Sequence, residues 1–558
     1  MRFLTSIINW LFVLRIPLPA FALASFEAFL RKRPGRIKIF LSVVNSRVLS
    51  RIAEKKLLYL VPRYIQTTPA LNDIKKQHLH GKKINTLERF KEFFPILDKD
   101  TYVKTHTLAS LCQNGKFPHA GGFYKSAGTS GKPTLWVESI KEQLSFDSAV
   151  AFIADTILSD MASHDYLILN CWAMGSWPTG INFAASARYH GKMVNVGTNI
   201  SEAIELIKIT GPQKYLIAGY PPFIFHLFEE CERQKIDLSK YEFDVVSGGE
   251  GFAENWRDTL IKKIGPSRSI FSVYGSTDKG LGEGLETNFA YAVRSLIHVA
   301  VTLMTNETAA QKIMMLRFGI SELPFSKETA KNFLLDFLKR EENIFRIPMV
   351  FQFDPTQYYN ENITVLDPKQ DRELTEFVTT VLTPNVTIPR IRYNVHDEGF
   401  IMTYEEITRI LKKYAIELES FNPRKDAYLD LHLPFLFIYG RSDGTISVDG
   451  ANIFPQDIEE ILRKDEELST VVNSFQLFVT ENYHVGIAIE LASGNVPNEQ
   501  IGEKIKNYLT ACLAETSFGY RELVHDQLPS ADVKIELYAL NDGPYFKEKT
   551  LKMRYVKH

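Results

Sequence analysis

Three glycine-bearing segments carry residue types whose spacing suits the handling of phosphate, a flat ring and a divalent cation. The first is Ser126-Ala127-Gly128-Thr129-Ser130-Gly131-Lys132-Pro133-Thr134. Its small residues let backbone N–H groups approach an anion, Thr129 and Ser130 can donate to phosphate oxygens, and Lys132 adds positive charge. The spacing is not that of a Walker loop, and Pro133 obstructs an immediate helix. A plain turn is the competing explanation. The second segment, Ser247-Gly248-Gly249-Glu250-Gly251, follows a strand-like run and would let a flat ligand lie close to backbone; a tight turn competes here too. The third, Tyr274-Gly275-Ser276-Thr277-Asp278, follows the apolar run Ile270-Phe271-Ser272-Val273. An aromatic face, hydroxyls and a carboxylate at a strand end could supply stacking, a phosphate contact and a Mg²⁺ ligand.

The elements that must position these segments alternate in short steps. Tyr166–Trp172, Tyr215–Gly219 and Phe243–Ser247 read as buried strands. Between and after them, Ser201–Ile207, with Ser201 as its cap, and Phe223–Gln234 read as helices. This alternation predicts an α/β architecture with a largely parallel sheet. Ser326–Glu342 reads as a charged amphipathic helix inserted into that pattern, and a boundary falls near Leu436–Gly440. The organisation expected is a helical N-terminal extension over 1–60, a large domain with parallel-rich sheets over 61–440, and a small mobile α/β domain over 441–558.

Composition narrows the function classes. The chain has 558 residues, 45% hydrophobic and 23% charged, with a net charge of −1, so no global field favours nucleic acid. Cys112, Cys171, Cys231 and Cys512 are scattered without a close pair, which excludes a zinc ribbon and a disulfide framework and fits a reducing, cytoplasmic compartment. Residues 1–30 are strongly apolar, but Arg15, Pro17 and Pro19 break the stretch below the length of a membrane span. A basic run, Arg31-Lys32-Arg33-Pro34-Gly35-Arg36-Ile37-Lys38, follows. A helix packed on the body is the first reading of 1–38; peripheral contact with an anionic membrane is the second.

Two later segments join the three above. Pro389-Arg390-Ile391-Arg392-Tyr393-Asn394-Val395-His396-Asp397 is similar to an Arg-Tyr-x-x-x-Asp signature, and Gly440-Arg441-Ser442-Asp443 through Gly450-Ala451-Asn452-Ile453-Phe454-Pro455 is similar to a hinge with its following loop. In this order, from about Gly121 to the C-terminus, the five segments resemble the adenylate-forming superfamily of acyl-CoA synthetases, in its phenylacetate–CoA ligase-like branch. The resemblance implies AMP-forming activation of a carboxylic acid with ATP and Mg²⁺, followed by transfer to a thiol. It also implies a small C-terminal domain that rotates about the hinge.

The resemblance assigns roles residue by residue. Thr129, Ser130, Gly131 and Lys132 would hold the β- and γ-phosphates, and Thr277, beside Gly275 and Ser276, would contact the α-phosphate. Gly248, Gly249 and Glu250 would frame the adenine, with Tyr274 beside its ring. Asp278 would bind Mg²⁺ where many relatives carry Glu. Asp397 would accept from the ribose hydroxyls, Arg441 would lie near the nucleotide, and Asp443 would be the pivot. The tail, Pro544-Tyr545-Phe546-Lys547-Glu548-Lys549-Thr550-Leu551-Lys552-Met553-Arg554-Tyr555, departs from the Gly-Lys-x-x-Arg-like pattern of relatives. Lys552 is the first choice for the catalytic lysine, Lys549 the alternative, and an exposed basic end the plainer reading. Too few residues follow the hinge here for a carrier domain beside the small domain, so the acceptor expected is coenzyme A, the phosphopantetheine of a separate carrier protein, or an amine. Trp172–Trp177 and Gly219–Pro222 suit an apolar or aryl acid, although core packing explains them as well. A non-catalytic, membrane-associated nucleotide binder is the remaining alternative.

Overall fold

The structure is a computed structural model that describes residues 29–30, 34–126, 134–158, 161, 165–265, 269–367, 372–422, 431–442, 445–449 and 451–542. Thr129, Ser130, Gly131, Lys132, Asp443, Lys549 and Lys552 lie outside the described residues, as do residues 1–28.

The body is organised by one eleven-stranded sheet, preceded in the chain by the hairpin β1 (Gly121–Ser126) and β2 (Thr134–Ser139). Its parallel half comprises β3 (Tyr166–Asn170), β4 (Lys192–Asn195), β5 (Lys214–Gly219), β6 (Glu242–Gly248) and β7 (Ile270–Ser276), ordered β7-β6-β5-β3-β4. Helices cover such strands on both faces, so they read as unbroken apolar runs, and β3 is buried at every residue. The other half is antiparallel. It adds β8 (Gly280–Leu285), β9 (Met349–Phe353), β10 (Tyr358–Asp367), β11 (Arg372–Val381), β12 (Tyr393–Met402) and β13 (Phe435–Arg441), in the order β10-β11-β12-β13-β9-β8. The sheet is therefore mixed, and strand alternation in sequence anticipated only its first half.

At the N-terminal end, helix α1 (Pro34–Val43) packs Phe40 and Leu41 with Leu431 and Leu433, and α2 (Ser46–Thr67) is tied to the body by the Tyr64 hydroxyl donating to the Thr383 carbonyl at 2.5 Å. No described helix is long and apolar enough to cross a membrane. Helix α3 (Ile140–Thr156) starts where Glu142 accepts from the Ser139 N–H at 2.7 Å, and the same carboxylate accepts from Thr387 N–H at 3.0 Å. One side chain thus caps the helix and anchors it to the loop before β12. Helix α4 (Pro178–Ala187) begins with proline, whose missing N–H would be an orphan there in any case.

Helix α5 runs Ile200–Thr210, and its cap is Asn199, whose side chain accepts from Glu202 N–H at 3.0 Å; Ser201 sits one position inside. Helix α6 spans Pro221–Arg233. Helices α7 (Glu254–Ile264), α8 (Asn288–Thr305) and α9 (Glu307–Phe318) follow. The helix expected at Ser326–Glu342 is α10 (Lys327–Leu338), with Ser326 as cap and a left-handed stop at Lys339. It buries Phe333, Leu334 and Phe337 in one cluster with α8, so it belongs to the core rather than standing off as an insertion.

Leu436–Gly440, where a boundary was expected, lies inside β13, between β12 and β9. Beyond Arg441, the short hairpin β14 (Ile446–Val448) and β15 (Ala451–Ile453) leads to a separate sheet, β16 (Val472–Val479), β17 (Val485–Leu491) and β18 (Lys534–Tyr538). Helices α11 (Glu499–Thr516) and α12 (Phe518–His525) complete this unit around its own apolar cluster, including Leu477, Ile487, Leu509 and Leu513. It meets the body at several points. Tyr483 packs on Phe225 of α6 with ring centroids 5.5 Å apart, and Thr198 donates to Asp526 at 2.8 Å.

Candidate active site

In open α/β sheets, ligands sit outside the carboxyl ends of the parallel strands. Gly248 ends β6, Ser276 ends β7, and a cavity of about 460 Å³ opens at that edge. Gly248, Gly249, Glu250, Tyr274, Gly275, Ser276, Thr277, Asp278, Asp397 and Arg441 all line it. Trp172, Trp177 and Tyr220, from the two segments considered for the acid pocket, line it as well.

The glycines have a steric reason. Gly249 has φ +86°, and a Cβ there would lie 2.7 Å from the Tyr220 ring. A Cβ on Gly248 would lie 2.9 Å from Val273 Cγ2. The close approach that the sequence reading gave to a ligand is thus made, in part, by neighbouring side chains. The loop that follows is held by Arg294, whose guanidinium donates to the Phe252 carbonyl at 2.5 Å. Arg294 belongs to a buried charge network in which it pairs with Glu254 at 2.8 Å, Arg257 with Glu286 at 2.5 Å and Arg317 with Asp258 at 2.7 Å.

Asp397 and Arg441 face each other as partners across β12 and β13. The Tyr274 hydroxyl donates to the Asp397 carboxylate and receives a hydrogen bond from Lys279 Nζ at 2.7 Å. Lys279 is in turn paired with Glu283 at 2.9 Å, both fully buried. Burial and the Asp397 charge push the Tyr274 phenol well above its ordinary value, so it stays a donor.

Asp278 has an unexpected partner. Lys99 Nζ lies 2.9 Å from one carboxylate oxygen, and the Trp136 indole donates to the other at 2.7 Å. Burial alone would raise this carboxyl, but Lys99, with Ser126 and Trp136, outweighs it and holds it below the ordinary value. Mg²⁺ binding needs oxygen lone pairs free to coordinate. Both Asp278 oxygens are engaged, one of them by an ammonium that balances the charge, so a Mg²⁺ ion would compete with Lys99 for this carboxylate. Among the described residues, no group of three or more His, Cys, Asp or Glu side chains could hold a metal ion.

Sequence reasoning missed Lys99 because nothing near Asp98-Lys99-Asp100 marks it; it reaches the site because Leu97 pairs with the start of β12, through Leu97 N–H to Arg392 O at 3.0 Å and Asn394 N–H to Leu97 O at 2.7 Å. His396 was within reach, since it precedes Asp397 in the signature. Its imidazole lies 3.7 Å from Asp98 and 3.6 Å from Glu376. Burial would lower its pKa, but the two carboxylates prevail and raise it to about 10, so it is cationic at neutral pH.

The cavity combines a polar end, holding Lys99, His396, Asp397 and Arg441, with an apolar extension beneath α3. Such a site can hold an anionic, ring-bearing molecule at one end and a hydrophobic group at the other. No family model matches the chain, and no curated protein does. Among solved structures, 2-hydroxyisobutyryl-CoA ligase in complex with 2-HIB-AMP and CoA is similar with a TM-score of 0.55 at 14% identity, over 91% of this chain and 89% of that one. The amide bond synthetase McbA from Marinactinospora thermotolerans matches at a TM-score of 0.39 and 13% identity, over 75% of this chain and 65% of that one. A malonyl-CoA ligase matches at 0.39 and 12%, over 76% and 71%. The chain has the fold of the first of these; at this identity the likeness extends to the fold alone.

Proposed function

We propose that the chain is an AMP-forming acid–thiol ligase of the phenylacetate–CoA ligase-like branch, with coenzyme A as acceptor. The observation that carries this reading is the convergence of the second and third glycine segments, Asp397 and Arg441 on one cavity that continues into an apolar arm. A carboxylate is a poor acyl donor, because its charge deters nucleophiles and oxide is a poor leaving group. In the proposed first step a carboxylate oxygen attacks the α-phosphorus of ATP. An acyl O–P bond forms, the bond from the α-phosphorus to the bridging oxygen breaks, and pyrophosphate leaves with the electron pair. In the second step the thiolate sulfur attacks the acyl carbon and AMP departs.

The roles proposed for individual residues follow from position and charge. Asp397 accepts from the ribose hydroxyls, Gly248–Glu250 and Tyr274 flank the adenine, and Thr277 donates to the α-phosphate. Lys132, with Thr129, Ser130 and Gly131, holds the departing phosphates; Lys552 or Lys549 neutralises charge during adenylation. Lys99 and His396 add fixed positive charge at the polar end of the cavity. The small unit beyond Arg441 turns about Asp443 between the two steps.

Acid-dependent exchange of pyrophosphate into ATP, measured over short, long and aromatic acids, tests the first step. AMP formation with and without coenzyme A tests the second. ADP as product, or no exchange with any acid, overturns the proposal; transfer only to an amine or a carrier protein replaces the acceptor.

A further inference from the structure

The apolar arm of the cavity has a length that can be read from two independent rulers. Its roof is one face of α3, presenting Phe146, Val150, Ile153 and Ala154 at helical spacing, with Leu158 just past the end of the helix. From Phe146 to Ala154 the helix advances eight residues, about 12 Å at 1.5 Å per residue. Its floor is the sheet, with one residue from each of four adjacent strands: Phe271 of β7, Val246 of β6, Leu216 of β5 and Ile168 of β3. Phe271 is paired with Val246 and Leu216 with Ile168, while Val246 is paired with Ala218, two residues from Leu216, so all four side chains point to the same face. Three strand spacings of about 4.8 Å make this floor about 14 Å long. Phe183 and Ala187 of α4 form a side wall, and Met161 and His190 line the far end. The described side chains between Val273 and Met161 that line the arm carry no charge, and His190 is held low in pKa by its partial burial.

We infer that the acid activated at this site carries a long, unbranched apolar chain of about ten to twelve carbons. This rests on the ligase reading above and names its substrate class. Each carbon–carbon bond of about 1.5 Å advances an extended chain by about 1.3 Å, so an arm of about 12–14 Å takes about nine to eleven such bonds, which is that number of carbons. A compact aryl or short branched acid would fill only the end beside Tyr274. It would leave the rest of an apolar space without packing partners, forfeiting the contacts its lining could make. A linear chain runs the whole way, between helix and sheet, with its carboxylate at the polar end.

The experiment compares kcat/KM for AMP formation with acetate, phenylacetate, octanoate, dodecanoate and hexadecanoate. Among the linear acids it should rise by up to about fourfold per added methylene, the value for full burial, through dodecanoate, and then level or fall. Ala154→Phe, which places a ring in the middle of the arm, should move the preference from dodecanoate to octanoate or a shorter acid; Ala187→Leu does the same from the side wall if the first variant does not fold. A preference for phenylacetate over dodecanoate, or an Ala154→Phe and an Ala187→Leu that leave the chain-length ratio untouched, overturns the inference. Dodecanoate binding without ATP, followed by quenching of tryptophan fluorescence (Trp172 and Trp177 line the cavity), separates it from the ligase reading. Binding without AMP formation from any acid removes the ligase reading and keeps the arm. AMP formation from phenylacetate without dodecanoate binding does the reverse, and absence of both removes both.

Discussion

Asp397→Ala removes two interactions that can be told apart. In the structure its carboxylate accepts from the buried Tyr274 hydroxyl, which itself receives from Lys279 at 2.7 Å. In the proposed complex it also accepts from the ribose. A hydrogen bond to a charged group contributes about 1.5–3 kcal/mol, so AMP and ATP affinity should fall about tenfold to 150-fold. The stranded Tyr274 O–H adds a stability loss of about 1–3 kcal/mol, the usual penalty for a buried donor without its acceptor. Tyr274→Phe separates the two. In the double variant the stability loss should be smaller than the sum of the single losses, because no hydroxyl is left stranded, while the affinity loss should persist. Calorimetric titration with AMP at fixed ionic strength, beside urea unfolding, reads both quantities. A folded Asp397→Ala protein that binds AMP within twofold of wild type would refute the ribose role and leave Asp397 as the partner of Tyr274 only.

Gly249→Ala should destabilise by about 1–3 kcal/mol and raise the KM for ATP, since φ +86° disfavours a side chain and its Cβ would meet the Tyr220 ring at 2.7 Å; an unchanged melting temperature counts against it. Arg317→Met should lower unfolding free energy by about 3–5 kcal/mol in urea titrations, because Glu254 and Asp258 are left buried without their shared cation. His396→Gln should carry a pH signature. The folded pKa of about 10 lies above the ordinary value of 6.5, so its stabilising contribution is complete below about pH 6.5 and is lost as pH rises towards 10. The stability difference from wild type should therefore be largest near pH 6 and shrink towards pH 10; a difference that is flat across this range sinks the assignment. Lys99→Met should weaken adenylation and release Asp278 from its ion pair, so that the dependence of rate on Mg²⁺ concentration shifts; an unchanged Mg²⁺ titration shows that the pair is only structural.

The residues that announce themselves in sequence are those whose role is local. Glycines at strand ends, the aromatic-hydroxyl-carboxylate run at Tyr274–Asp278 and the apolar runs of β3, β5 and β6 each depend on neighbours a few positions away, and periodicity and turn chemistry record them. That is why the parallel half of the sheet and the cavity-lining positions of the second and third glycine segments could be read directly. The cap of α5 was missed by two residues because Asn199 and Ser201 are both good caps, and only the start of the helical hydrogen bonding chooses between them. The tertiary structure alone decided the rest. Lys99 meets Asp278 because Leu97 docks on β12, Tyr274 meets Asp397 across separate strands, and the arm exists because one face of α3 stands off four strands of the sheet. Each of these joins side chains far apart in the chain and of ordinary type. Their chemistry comes from burial and mutual distance, which local sequence does not encode.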